Sequence, residues 1–513
     1  MPRPPAPPLW NSFSLDPASR LSRQEQIVRH VRQAVLSGAL RPGDRLPSSR
    51  QLAEELGLAR QTVVLAFDRL LADGFLAMRA GAGTFVPAAL PLPEPEAAPA
   101  TGIGTGTGTG PAPRLSARGA AISALPLTPL RREPGLLAPG LPALEGFPWA
   151  VWARLSARLW RGAARSHLGY SDPAGLPELR QAIAAHLGAT RGLVCDAGDI
   201  VVTSGSQQGI DLAARLLLDP GDAAWVEDPG YVAGRSALAA AGARLVPVPV
   251  DAEGIVVAEG RARAPEARLA LVSPAHQYPL GVGMSLARRL ALLDWAARSG
   301  AWIVEDDYDG DFRYGGAPLR PLRALGAGQA ERSVLHLGTF AKILAPGLRL
   351  GFLVAPRGTA EAFTAARALT DRQPPGPPQA VLAAFIAEGH LAGHLRRMRA
   401  LAAERRAALL AALERHAAEA LDWGGAGPEM GLHLAARLRG AAAPGFDRAV
   451  QEAAWARGLQ VPALSRYAVA PDGPLQGLVL GYGTTPTAQI DGAVRRLVAV
   501  ITALRRHRGP HPG

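Results

Sequence analysis

The stretch 88–113, which runs through PLPEPEAAPATGIGTGTGTGPAP, divides the chain into two parts that must fold separately. Proline and alternating Thr-Gly offer no apolar face to bury, so the stretch reads as a flexible linker. At ~5–6 Å times the square root of its length, it spans some tens of ångströms. Residues 20–87 before it are compactly patterned, and 114–513 after it read as globular, without a solenoid-type repeat.

Composition narrows the classes. The chain is 48% hydrophobic, enough for large cores, and its 58 Gly and 46 Pro supply many loops. A single cysteine, Cys195, permits no internal disulfide and suits a reducing compartment. The start, MPRPPAPPLW, has no long apolar run, and no stretch approaches the ~20 apolar residues of a membrane span. A cytoplasmic protein with no membrane partner is the expectation. The net charge of +12 is compatible with nucleic acid. Of the 55 basic residues only Lys342 is a lysine, and the other 54 are arginine. Guanidinium stays protonated and is a poor nucleophile, so a lone lysine in an arginine-rich chain points to amine chemistry. Survival by chance explains the same count equally well.

Within 20–87 the signals alternate. Gln24–Leu36 carries Ile27, Val31 and Val35 at helical spacing and stops at Gly38. Pro47-Ser48-Ser49 caps a helix Arg50–Leu56 that Gly57 ends. A third helix covers Arg60–Leu71, with Val63, Phe67 and Leu70 inward. Extended pieces at Phe75–Met78 and Thr84–Val86 then flank a glycine-rich turn. This order of helix, helix, turn, helix and β-wing resembles the GntR-type winged helix-turn-helix. The resemblance implies a double-stranded DNA operator as partner. It places Arg60, Gln61 and Thr62 in the major groove, Arg50 on a phosphate, and Arg79 with Gly81 and Gly83 in a wing near the minor groove. Ten arginines against six acidic residues give this region a modest positive surplus. Ala59 stands where the family usually has Ser. A winged helix used only for protein docking is the competing reading.

Beyond the linker, strand-like runs alternate with helical stretches at Ile200–Thr203, Ala224–Val226, Arg244–Val248, Leu269–Ser273, Trp302–Glu305, Val334–Leu337 and Gly351–Val354. That pattern predicts an α/β fold with a mostly parallel sheet covered on both faces, the large part about 165–365. Ala/Leu/Arg-rich helices and short strands such as Leu478–Leu480 predict a smaller α+β part, about 366–505.

Several motifs in this region carry chemistry. Ser204-Gly205-Ser206-Gln207-Gln208 is a strand-to-helix turn whose amides make a natural phosphate cradle, though ordinary helix caps look the same. Glu305-Asp306-Asp307-Tyr308-Asp309 follows a buried strand, and alone it reads as an acidic surface turn or a metal site. Lys342 ends Gly338-Thr339-Phe340-Ala341-Lys342, with Arg349 seven residues on. Further on the list are EDPGY ending at Tyr231, SPAHQYPLG across His276 and Gln277, GYSDP with Tyr170, and LSRY with Arg466. In their order along the chain the motifs resemble fold-type I aminotransferases, and with the N-terminal element the whole chain resembles the MocR family of regulators.

The resemblance implies pyridoxal 5′-phosphate as cofactor and no metal. Lys342 becomes the Schiff-base lysine, Asp306 the partner of the pyridine nitrogen and Tyr308 the phenol on the ring oxygen. Tyr231 lies over the ring, and His276 or Gln277 faces it. Ser206, Gln207, Thr339 and Arg349 hold the phosphate, and Tyr170 reaches the phosphate of a neighbouring subunit. Many relatives carry Ser where Ala341 stands. Arg466 receives an amino acid's α-carboxylate, against the alternative of a surface ion pair. The implied assembly is a homodimer, open to docking of the winged helix on the partner subunit. The implied function is a transcription regulator that senses an amine, an amino acid or pyridoxal phosphate itself through Lys342. An active aminotransferase with an attached DNA-binding part is the alternative, because the same residues serve both.

Overall fold

The computed structural model describes residues 15–16, 19, 21–79, 82–88, 114–126, 134–162, 169–315, 320–325, 328–424, 429–440 and 443–507. Gly81 of the expected wing, and the linker from residue 89 onward, lie outside the described residues. The chain splits into two compact units, Met1–Pro113 and Arg114–Gly513.

In the first unit, α1 (Arg23–Leu36) begins where the Ser22 hydroxyl accepts from the Glu25 amide. α2 (Ser49–Leu56) is capped in the same way by Ser48 and ends at Gly57 in the left-handed conformation. α3 (Arg60–Ala72) starts at Ala59, which offers no side-chain cap. Ile27, Val31, Leu52, Val63, Phe67 and Leu70 form the core. Each buried side chain of this kind contributes about 1.5–3 kcal/mol. That burial fixes the inner face of α3 and leaves Arg60 and Gln61 exposed and Thr62 half-buried at its first turn. The wing pairs β1 (Ala77–Arg79) with β2 (Gly83–Phe85) in antiparallel register, Arg79 opposite Gly83. β1 starts later than the expected Phe75, because the Phe75 and Leu76 amides close the turn after α3 by donating to the Leu70 carbonyl.

The second unit is built on an eight-stranded sheet of β3 (Ile200–Thr203), β4 (Ala223–Asp228), β5 (Arg244–Asp251), β6 (Gly254–Ile255), β7 (Leu269–Val272), β8 (Trp302–Asp306), β9 (Val334–Thr339) and β10 (Gly351–Val354). The order is β3-β10-β9-β8-β7-β4-β5-β6. Pairings from β5 through β4, β7 and β8 to β9 are parallel, and β10 runs antiparallel between β9 and β3. Alternate residues enter opposite cores: Ile200 and Val202 pack on one side and Val201 on the other, and Trp225 opposes Ala224 and Val226. Both faces are therefore covered, as the alternating pattern predicts. β6, which the sequence pattern did not suggest, is a two-residue return strand on the sheet edge.

A three-stranded antiparallel sheet, β11 (Leu421–Asp422), β12 (His433–Leu438) and β13 (Gly477–Gly481), carries the smaller part. It shares a core with the helices His390–His416 and Thr487–His507. Packing does not change near 365. Val381, Leu382 and Phe385 of helix Gly376–Ala387, together with Leu391 and Leu395, join the core of β3 and β10. Leu137 and Ala143 lie in the core of the smaller part instead.

Candidate functional site

Topology brings the motifs to one edge of the sheet. β3, β4, β7, β8 and β9 all point their C-terminal ends the same way, where ligands bind in open α/β sheets. Those ends carry Gly205-Ser206, Tyr231, the loop Ser273–Gly281, Asp306-Tyr308 and Thr339–Lys342. β10 enters from this edge, so Arg349 just before it arrives at the same place.

A cup forms where three strands meet, with Gly351 opposite both Thr203 and Thr339. A Cβ on Gly205 would lie 3.9 Å from Thr339 Oγ1 and from both terminal nitrogens of Arg349. Gly205 has φ +118° and precedes helix Ser206–Leu217, whose first-turn amides have no intrahelical acceptor. Arg349 itself is left-handed at φ +50°, an uncommon conformation for a residue with a Cβ and one that clusters at ligand clamps. Arginine fork, hydroxyl and helix N-terminus together suit a phosphate. The Gln207 side chain points elsewhere, donating to the Ala233 carbonyl at 2.9 Å. Tyr170 is 84% exposed, with Arg372 4.9 Å above its ring. Among the described residues it makes no hydrogen bond or ring contact to the cup.

Next to the cup lies a deeply buried group of ionisable side chains. Asp306 takes a hydrogen bond from Ser206, yet its Oδ1 is buried without a partner among the described residues. Burial first, then neighbouring Asp307, pushes its carboxyl up to about 7, with Lys342 opposing. An orphaned carboxylate oxygen of this kind fits a protonated ring nitrogen. Lys342 donates to the Gly140 carbonyl, and burial lowers its pKa against the pull of Asp309 and Asp306. Tyr308 donates to the His276 carbonyl at 2.9 Å, and His276 Nδ1 lies 3.1 Å from that phenol and 2.8 Å from Asp309. Tyr231 borders a small cavity with Glu227, Arg235, Ser273 and Asp306, and burial raises its phenol to about 12. Gln277 turns its amide into the loop, donating to Glu227, the Pro229 carbonyl and the Tyr278 carbonyl. Aldehyde-reactive amine, ring-nitrogen acid, phenol and anion cup together fit pyridoxal 5′-phosphate.

Arg466 sits on the loop before β13, exposed, with no acidic partner for its guanidinium among the described residues. In the first unit, Arg60 and Gln61 are likewise exposed, while Arg50 pairs with Glu54 at 3.3 Å on the surface. Arg79 stacks on Phe85 at 5.0 Å, and Arg45 lies against Gly83, where a Cβ would meet its Nε at 3.1 Å.

The family described as bacterial regulatory proteins, gntR family, matches residues 23–86, and aminotransferase class I and II matches residues 142–472. The chain is 40% identical over 483 residues to "Probable rhizopine catabolism regulatory protein MocR" of Rhizobium meliloti, covering 93% of this chain and 94% of that protein. The chain belongs to the MocR family of DNA-binding transcription regulators. Another relative is "HTH-type pyridoxine biosynthesis transcriptional regulator PdxR" of Corynebacterium glutamicum, 33% identical over 77% of this chain and 79% of its own length. Among solved structures, the kynurenine aminotransferase of Pyrococcus horikoshii, crystallised with PMP, is 29% identical with a TM-score of 0.66. That match covers 72% of this chain and 92% of the other. The large unit of this family member therefore has the fold-type I aminotransferase fold. No helix among the described residues is long and apolar enough to cross a membrane.

Sequence reasoning missed Gly140, Asp309 and His433. Gly140 reaches Lys342 only because Gly481 and Gly483 let the segment around Ala138 and Leu141 lie directly on the smaller sheet. The left-handed Gly140 in Ala138-Pro139-Gly140 was a visible turn signal with no chemical one beside it. Asp309 and His433 flank His276, the second through rings 4.7 Å apart. Their partners are far apart in sequence, so spacing could not pair them.

Proposed function

We propose that this regulator holds pyridoxal 5′-phosphate on Lys342 and takes its signal there, as an amine, an amino acid or the cofactor itself. One observation carries the reading. The chain's single lysine, a buried carboxylate oxygen without a partner, and an arginine-threonine-glycine cup converge at one sheet edge. When bound, pyridoxal phosphate supplies an aldehyde that condenses with amines and a pyridine ring that draws off electron density. Lys342 contributes the amine, and its burial favours the neutral, nucleophilic form. Asp306 would hold the proton at the ring nitrogen, and the Tyr308 hydroxyl would turn its one proton from the His276 carbonyl to the ring oxygen. Tyr231 covers the ring. Arg349, Thr339 and the amides of Ser206 and Gln207 hold the phosphate. His276 orients Tyr308, and Gln277 steadies the loop beneath Tyr231 through the Pro229 carbonyl.

Arg466, exposed and without an acidic partner among the described residues, receives the carboxylate of an amino-acid effector. Charge-assisted hydrogen bonds contribute about 1.5–3 kcal/mol. Arg466→Ala is therefore expected to raise the amino-acid concentration for half-maximal change in the visible spectrum by roughly 10–100-fold. A full response at wild-type concentrations would remove this role.

Residues 20–87 read the operator, 88–113 tether them, and the protein acts in the cytoplasm as a homodimer in which Tyr170 covers the partner's phosphate cup. Its exposure supports this placement, and the tether permits the winged helix to dock on the partner subunit. Arg60, Gln61 and Thr62 lead α3 into the major groove, with Arg50, Arg79, Gly81 and Gly83 on the backbone and wing. Arg60→Ala is expected to weaken operator binding at fixed salt by about tenfold or more while leaving the visible spectrum intact. A normal gel shift would count against it.

A second reading, an active aminotransferase with a DNA-binding attachment, is supported by the unaltered amine, ring-nitrogen acid and phenol. Many equivalents of amino acid consumed with a keto-acid acceptor would favour it, and a single saturating spectral change without turnover favours the sensor.

A further inference from the structure

The loop that carries Arg466 is gripped from two sides. On the side of the smaller part, buried Asp447 accepts from the Ser465 amide at 2.9 Å and from its hydroxyl at 2.8 Å. On the side of the large sheet, Arg235 reaches from helix Val232–Ala241, one turn past Tyr231. Its side chain is largely buried and forms no close ion pair among the described residues, although the charge of nearby Asp228 favours its protonated form. Instead it donates to three consecutive carbonyls, those of Arg466 at 3.5 Å, Tyr467, and Ala468 at 3.1 Å. Three more bonds follow the same seam. The Gly230 amide donates to the Tyr467 carbonyl at 3.0 Å, the Val469 amide to Asp228 at 2.9 Å, and the Tyr278 and Tyr467 hydroxyls meet at 2.9 Å.

Burial lowers the Arg235 pKa and Asp228 offsets this only in part, so the arginine carries a desolvation penalty that a neutral side chain would avoid. Only a planar fork with several donors can serve three adjacent carbonyls at once. One of these bonds, at 3.5 Å, runs to the backbone of Arg466 itself and the other two to the residues that follow it, and they start one helical turn from Tyr231, which lines the same small cavity as Asp306. We propose that Arg235 is a positioning residue that holds Arg466 at a fixed distance from the cofactor site, and so gives the site its preference for amines that carry a carboxylate. Misplacement of a binding group by about 1 Å is enough to lose most of its contribution. The proposal rests on the reading of Arg466 as carboxylate receptor.

The test uses the full-length protein loaded with pyridoxal phosphate. The visible spectrum is titrated with L-alanine, β-alanine and 4-aminobutyrate, and separately with ethylamine and propylamine, which lack the carboxylate. Wild type should respond to its best amino acid at lower concentration than to the matching plain amine. Arg235→Met, which keeps an apolar stem and loses the fork, should raise the amino-acid half-saturation about tenfold and move the amine value less than about twofold. Arg235→Lys, with charge but no fork, should fall between. It decides the matter if the Met variant does not fold. An unchanged amino-acid-to-amine ratio in these variants, beside a clear wild-type preference, overturns the role of Arg235 alone. A parallel loss for both ligand types would make Arg235 a general structural support and also overturns it. A wild type without carboxylate preference overturns the Arg466 reading and this inference with it.

Discussion

Asp306→Asn is expected to weaken pyridoxal phosphate binding by about 100-fold or more. Truncating one partner of a buried, hydrogen-bonded charge pair costs about 2–5 kcal/mol, and every 1.4 kcal/mol is about tenfold. The amide fills the same space and can keep the Ser206 contact, so the effect isolates the missing negative charge at the ring nitrogen. Equilibrium titration followed by absorbance would measure it, and wild-type affinity would remove Asp306 from this role. A pH signature accompanies the change in the cofactor-free protein. Burial raises the folded pKa of Asp306 to about 7, above an unfolded value of ~3.9. A raised folded pKa contributes stability that is complete below the unfolded value and is lost as pH rises through the folded one. Wild type should therefore lose stability relative to Asp306→Asn as pH rises from about 4 to about 7, with little further change from this group above that. Glu227, raised to about 8 chiefly by burial, is also pushed up by the Asp306 charge, so its titration adds to the difference in the same direction at higher pH.

Lys342→Ala should abolish covalent attachment outright. It is the chain's only lysine, so no second side-chain amine stands in for it. The variant keeps the cup of Gly205, Thr339 and Arg349 and the orphaned oxygen of Asp306. Cofactor is therefore expected to bind reversibly and to be removed by dialysis, with the bound visible band lost. The Lys342→Arg variant should behave alike, because guanidinium retains charge and length without nucleophilicity. A visible spectrum unchanged in either variant would refute the assignment.

The fold was readable in the sequence where local signals agree. Ser48 and Gly57 mark the ends of α2, and the apolar runs at Ile200, Leu269 and Gly351 are strands where expected. Boundaries failed where long-range packing decides. The core of the sheet carries on to Leu395 because that stretch packs on β3 and β10, and nothing local near 365 signals it. For the site, Lys342, Asp306, Tyr308, Thr339 and Arg349 were legible through the resemblance to fold-type I aminotransferases, and each sits at or next to a strand terminus on one edge of the sheet. Two side chains behave otherwise than a local motif suggests. Gln207 and Gln277 sit in the matching segments but turn their amides to the backbone at Ala233 and Pro229. The role of Arg235 was not legible, since its three acceptors lie more than two hundred residues away in the chain.

The most direct test of the central claim is the visible spectrum of the purified full-length protein, before and after borohydride, followed by peptide mass mapping. Pyridoxal phosphate held on Lys342 gives a band at the blue-violet edge that borohydride abolishes, leaving a phosphopyridoxyl mass on the peptide containing Lys342. A protein that stays colourless with added pyridoxal phosphate, or a label on any other residue, would contradict it.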